Sequence, residues 1–163
     1  VWRRPVANGQ LPLLTLGAGV VLAELTGHGL KWPNDLLAPD HRKLAGILAE
    51  ADWKRGELQQ VVVGIGVNLR SAPHERAGAL VDYQEPPPLR PFAEQVRETF
   101  ARLDLSTVLD RWRARNLTLG KRVRIGAVEG TAVDLASDGA LIVRDDQGHS
   151  HTVITGDLGF PSG

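Results

Sequence analysis

The chain is 163 residues long and 42% apolar, with 19 Lys+Arg against 19 Asp+Glu. That length holds one ordinary domain, or a medium domain with a small one beside it, and the charge balance gives no general reason to expect nucleic acid or an anionic membrane as partner. There is no cysteine, which excludes disulfides, thiolate metal sites and a cysteine nucleophile and fits a cytoplasmic location.

In chain order, the first ten residues read as an irregular entry with turn signals at Pro5 and Asn8-Gly9. Leu11 to Thr26 predicts a core helix, with Leu13, Leu16, Val20 and Ala23 near helical spacing and Gly27 and Gly29 at its end. Glu24 and the internal Gly17 and Gly19 argue against a membrane span. Leu30 to Leu37 reads as a strand interrupted by Pro33, and Pro39 to Arg42 as a turn. Lys43 to Asp52 is then the returning strand of a hairpin. Leu58 to Leu69 is the next strand, and its Val61-Val62-Val63 run suits burial on both faces.

Ser71 to Pro91 is proline-rich and predicts a mobile or extended surface connection. Two helices follow. The first has Phe92, Val96, Phe100 and Leu103 on one face and Pro91 in its first turn. The second has Leu105, Val108, Leu109 and Trp112, with Asp104 or Ser106 as cap. The alternating Arg residues from Arg111 to Arg115 read as helix-face charge. From Leu119 the period changes to short strands separated by glycine turns, at Val123–Ile125, Thr131–Leu135, Ala140–Val143 and Thr152–Ile154, which read as a small β-barrel. His149 and His151 alternate on its last strands and read as exposed strand residues rather than metal ligands.

Three blocks carry chemistry: Lys31-Trp32-Pro33-Asn34-Asp35, Lys43-Leu44-Ala45-Gly46-Ile47-Leu48 and Gly64-Ile65-Gly66-Val67-Asn68-Leu69. A hairpin can bring Asp35 and Lys43 to one pocket. A lysine there can bind a carboxylate and a phosphate together, and an aspartate beside it can hold a magnesium ion. Gly46, Gly64 and Gly66 would let a ligand lie against bare backbone, and the Asn68 amide can read an adenine edge or a ribose. Gly64-Ile65-Gly66 lacks the third glycine and the following helix of a dinucleotide fingerprint.

In order and spacing these blocks resemble the signature blocks of the biotin protein ligases, and the C-terminal segment with Gly139-Ala140-Leu141 and Gly156-Asp157-Leu158 is similar to their SH3-like domain. The resemblance implies an α+β fold: a mixed β-sheet with packed helices, as in class II synthetases, over residues 1–117, followed by an SH3-like β-barrel over 118–163. It implies ATP and biotin as substrates with Mg2+, formation of biotinyl-5'-AMP, and transfer of biotin to a lysine of a carboxylase carrier domain. Lys43 matches the lysine that contacts the biotin carboxyl and the α-phosphate. Asp35 matches the aspartate near the reacting centre, where it would serve either magnesium or the incoming amine. Lys31 and Asn34 match nucleotide-side positions and Asn68 the adenine contact, with Trp32 a further ligand-binding candidate. Gly46 and Gly64 match positions whose backbone lines the biotin pocket, Ile47 and Gly66 are further ligand-binding candidates, and Trp2 matches a position near the adenine.

The same resemblance sets Val1-Trp2-Arg3-Arg4-Pro5 just after a Gly-Arg-Gly-Arg-x-Gly-Arg loop that family members carry. The catalytic domain is therefore expected without its N-terminal part, with reduced or absent activity for this polypeptide alone. A DNA-binding domain is not expected in the chain, nor a membrane partner. A homodimer is left open. A non-catalytic biotin- or adenylate-binding remnant and a lipoate-type acyl transferase are the alternatives.

Overall fold

Residues 11–55, 57–75 and 77–160 are described by the structure, a computed structural model. Its centre is helix α1, Leu11–Thr26, apolar on nearly every side because other elements cover it on nearly every side. Gly27, at φ +76°, ends it by donating its N–H to the Ala23 carbonyl at 2.8 Å. Gly17 is there for close approach: a Cβ at that position would stand 2.5 Å from Leu103 Cδ2.

Four strands form an antiparallel sheet in sequence order: β1 Gly29–Lys31, β2 Asp35–Leu37, β3 Lys43–Lys54 and β4 Glu57–Val67. The single interrupted strand expected over Leu30 to Leu37 is instead a tight hairpin, with Lys31 opposite Asp35. Pro33 has no N–H to give a ladder, and the chain reverses there; the Trp32–Pro33 peptide is cis. The sheet is antiparallel rather than mixed. Parallel pairing among the described residues occurs only as isolated bridges, Leu30 to Asn116 and Lys43 to Ala77.

The valine run of β4 is not buried on both faces. Val61 is buried, whereas Val62 is 50% exposed, because α1 and the helices after it cover only one side of the sheet. On that inner face lie Ala45, Ile47, Val61, Val63 and Ile65; the outer face carries Gly46, Leu48, Gly64 and Gly66.

The connection after β4 is docked rather than loose. Ala77, Gly78, Ala79 and Leu80 are buried, and a single 3-10 turn covers Leu80–Asp82. Backbone bonds tie it to the sheet: Gly78 N–H to the Lys43 carbonyl, Leu80 N–H to Asn68 and Val81 N–H to Leu69. Burial of its small apolar residues outweighs the proline-rich composition that suggested mobility. Helix α2 is Leu89–Ala101, with Pro91 in its first turn and Phe92 and Val96 buried. The next helix begins as a 3-10 turn, Leu105–Thr107, where the Asp104 carboxylate accepts the Ser106 N–H, and continues as α3, Val108–Arg113. Its arginines are ion-paired: Arg111 to Glu24, and Arg113 to Asp110 and Asp134.

The second sheet comprises β5 Arg122–Ile125, β6 Val128–Leu135, β7 Leu141–Arg144 and β8 Ser150–Val153. The expected barrel is an open antiparallel meander, β5-β6-β7-β8, among the described residues. Three of its strands have only four residues, and β5 pairs at its far edge with Gly159 rather than with β8. His149 and His151 both face Asp145 at the β7–β8 turn, at 3.5 and 2.7 Å, and no group of three or more metal-ligating side chains occurs among the described residues. The class is α+β. One hydrophobic cluster runs from α1 through Trp32 and Trp112 to Val123, Ala132 and Leu141 of the second sheet. Among the described residues, no helix is long and apolar enough to cross a membrane.

Candidate functional site

The chemistry collects at the β1–β2–β3 end of the first sheet. Register places Asp35 opposite Lys31 on one side and Gly46 on the other, and Gly46 opposite Gly66. Cross-strand partners share a face, so Lys31, Asp35, Gly46 and Gly66 make a row on the outer face. Leu48 and Gly64 form the next pair along it. The three glycines leave a floor of bare backbone: a Cβ at Gly64 or Gly66 would meet nothing nearer than a carbonyl oxygen at 3.7 or 3.9 Å.

Lys43 folds over this floor, and a Cβ at Gly46 would lie 3.2 Å from both its Cε and its Nζ. Its ammonium stands 2.5 Å from Asp35 Oδ1, and that of Lys31 stands 3.9 Å from Asp35 Oδ2. Asp35 Oδ1 is buried and accepts no hydrogen bond of ordinary geometry, so the ion pair with Lys43 is what compensates its burial. Two cations share one carboxylate. The excess positive charge, half-exposed at Lys43, borders a flat open floor and suits an anionic ligand.

The other residues expected at the site divide. Asn34 lines its edge and continues β2 in the manner of a strand residue. Its carbonyl accepts the Ile47 N–H at 3.0 Å and its Nδ2–H donates to the Ile47 carbonyl at 2.9 Å. Ile47 offers only backbone, since its side chain points into the core. Trp32 is 1% exposed; its Nε1–H donates to the Gly139 carbonyl at 3.1 Å, and its backbone N–H donates to Thr118 Oγ1 at 2.9 Å. It joins the two sheets and also borders a smaller cavity beside the site. Asn68 uses Nδ2 to bond the Gly78 carbonyl at 2.9 Å and the Lys43 carbonyl at 3.2 Å, so the donor half of its amide holds backbone. Trp2 lies outside the described residues.

Two groups escaped the sequence reading. Phe160, beyond β8, places its ring 5.6 Å from Lys31 Nζ, so the C-terminal segment reaches this site. The second is the cluster of Asp40, Arg42, Asp82 and Tyr83 beside the β2–β3 turn. The Tyr83 hydroxyl, with Arg42, holds the Asp40 carboxyl down at about 2. Tyr83 is the chain's single tyrosine, the one signal that could have drawn attention to it.

A cavity of about 710 Å3 lies elsewhere, on the inner face between β4 and α2. Its lining is almost wholly apolar, with Val61, Ile65, Phe92, Val96 and Phe100 among it. It lacks the convergent polar groups of a reaction site. A smaller one, about 300 Å3, borders Asn34, Leu48 and Ala49, alongside the stretch of β3 that β2 does not cover.

Two family profiles match the sequence: the Biotin/lipoate A/B protein ligase family over residues 23–68, and the Biotin protein ligase C terminal domain over residues 118–158. The chain is 38% identical over 146 residues to the biotin–[acetyl-CoA-carboxylase] ligase of Mycobacterium tuberculosis, an alignment covering 80% of this chain and 52% of that protein. The chain thus spans about half the length of that relative. Among solved structures, the apo biotin protein ligase of Aquifex aeolicus superposes with a TM-score of 0.71 at 26% identity, covering 93% of this chain and 75% of that one. The same enzyme in complex with biotin and ATP gives 0.66 at 26% identity, covering 93% and 71%.

Proposed function

The chain belongs to the biotin protein ligase family, and from that premise we propose that its β2–β3 hairpin is the reacting centre of an ATP-dependent biotin–protein ligase. The observation that carries the reading is the Lys43–Asp35 pair standing beside a glycine floor. The C-terminal profile match favours biotin over lipoate. In the proposed division of labour, residues 1–117 supply the site and 118–163 form the SH3-like unit whose Phe160 borders Lys31.

In the first half-reaction a biotin carboxylate oxygen attacks the α-phosphorus of ATP and pyrophosphate leaves, giving biotinyl-5'-AMP. The Lys43 ammonium, held over Gly46, bridges the carboxylate and the α-phosphate and stabilises the charge that builds between them. Lys31 lies on the phosphate side. In the second half-reaction the amine of a carrier-domain lysine attacks the acyl carbon and AMP leaves. Once ligand phosphate engages the two lysines, the Asp35 carboxylate is available to hold the incoming amine and take its proton. No covalent enzyme intermediate is needed, so orientation and charge supply the catalysis.

Magnesium would neutralise the ATP phosphates. As a resident ion on Asp35 it fits poorly, because that carboxylate already sits between two ammonium groups and no group of three or more metal-ligating side chains occurs among the described residues. No step is routed through it. The stretch of β3 beyond Ile47, uncovered by β2, supports strand pairing with a carrier domain or a second copy of the chain, and ATP as co-substrate supports the cytoplasm as compartment.

ATP–pyrophosphate exchange in the presence of biotin, in a chain that carries the Gly-Arg loop ahead of these residues, tests the reading. Lys43→Ala is expected to lower exchange about 100-fold or more, the scale of removing a group that stabilises transition-state charge. Exchange at the unmutated rate in Lys43→Ala would overturn it.

A further inference from the structure

Lys43 opens β3 directly after the turn that joins it to β2, and that turn leans on a neighbouring segment. Tyr83 donates its hydroxyl to Asp40, 2.8 Å from each carboxylate oxygen. Arg42 bonds the same carboxylate at 2.9 Å, lies 5.2 Å over the Tyr83 ring and reaches Asp82 at 3.5 Å. Asp82 in turn accepts the Ala79 N–H at 3.1 Å, closing the 3-10 turn. On the other side of the segment, the Lys43 carbonyl receives two donors, Gly78 N–H at 3.0 Å and Asn68 Nδ2–H at 3.2 Å. Asn68 holds the Gly78 carbonyl as well, at 2.9 Å.

We propose that Tyr83 and Asn68 are positioning residues for Lys43: they brace segment 77–83 against the β2–β3 turn and thereby fix where the Lys43 ammonium stands relative to Asp35. The proposal rests on the reading of Lys43 as the centre of the reaction. The Tyr83–Asp40–Arg42–Asp82 bonds are solvent-exposed. Exposed polar contacts of this kind contribute little to folding. Their geometric effect is larger, because a reacting group displaced by about 1 Å can lose about 100-fold in rate. A side chain of small value to stability and large value to placement is the signature of positioning. Tyr83 also packs edge-on against the His28 ring, at 5.7 Å between centroids, so its ring is fixed independently of its hydroxyl.

Tyr83→Phe keeps the ring and removes the hydroxyl; Asn68→Ala removes the amide. In ATP–pyrophosphate exchange each is expected to lower kcat about 10-fold or more with KM for biotin within about twofold and the melting midpoint nearly unchanged. Tyr83→Phe combined with Asp40→Ala should be no worse than Asp40→Ala alone, since Asp40→Ala already removes the acceptor of the Tyr83 hydroxyl. A second readout needs no substrate. In protein with isotope-labelled lysine side chains, the Lys43 ammonium resonance and its response to Asp35→Asn should shift in both variants and stay at the native position in an Arg97→Ala control. If the unmutated chain shows no exchange, the Lys43 resonance alone decides the positioning; if a chain that also carries the Gly-Arg loop shows none, the ligase reading fails. The proposal is overturned if kcat and the Lys43 resonance match the unmutated chain, if the loss lies wholly in KM or melting temperature, or if the Tyr83 and Asp40 effects add.

Discussion

His28 is the residue whose chemistry is least at ease with its position. It is buried, its Nε2 has no partner among the described residues, and burial pushes its pKa below the ordinary histidine value. The folded state therefore takes up the proton at lower pH than the unfolded chain does. Stability from the neutral ring is complete above the unfolded pKa of about 6.5 and is lost as pH falls through it toward the folded value. The melting temperature should drop between pH 7 and 5, and His28→Gln should flatten that slope; an unchanged slope would remove His28 as its cause. Asp145 acts in a lower range. The His151 ring, with backbone N–H donors from Gln147 and His149, holds its carboxyl down at about 2. The β7–β8 turn therefore keeps its full support above the ordinary carboxylate range, and loses it as pH falls toward 2.

At the scale of elements, α1 decides most. Its internal glycines are poor helix formers, at about 1 kcal/mol each against alanine, yet Gly17 allows Leu103 and Val108 to close on the helix. Gly17→Val inserts three carbons where a single Cβ already meets Leu103 at 2.5 Å. A loss of about 1–3 kcal/mol is expected, from overpacking, read by denaturant titration; no loss would mean that the Leu103 side chain rotates away freely. The β1–β2 hairpin shows how one proline changed an element. Alternation over Leu30 to Leu37 fits a strand, but Pro33 cannot donate to a ladder. The chain turns there, and Lys31 comes opposite Asp35 instead of lying four residues along the same strand.

The whole molecule is two sheets on one apolar cluster. Trp32 fastens them with its indole on Gly139 and its backbone on Thr118, and Arg113 adds bonds to Asp134 and the Leu135 carbonyl. Gly139, at φ +91°, makes a tight turn against α1, where a Cβ would stand 2.9 Å from Leu16 Cδ1. Because the cluster is continuous, heat should unfold both sheets in one calorimetric transition. Trp32→Phe, which leaves the Gly139 carbonyl without its donor at about 1–3 kcal/mol, should lower that transition. Two separate transitions in the unmutated chain would show the sheets to be independent.

How much of this was legible in the chain depends on the range of the interaction. Residues 11–26 announce their helix, and Gln147-Gly148 and Ser137-Asp138-Gly139 their turns, because propensity and turn chemistry act over a few neighbours. The three blocks likewise placed Lys43, Asp35 and the glycines at one site, since hairpin register follows from short loops. Tertiary structure alone turned Trp32 inward, gave the Asn68 amide to two carbonyls, docked residues 77–83 on the β2–β3 turn and set Phe160 over Lys31. Those contacts join positions as far apart in the chain as Lys31 and Phe160. No local period records them; they form because buried polar groups must find partners, and the folded chain decides which are in reach.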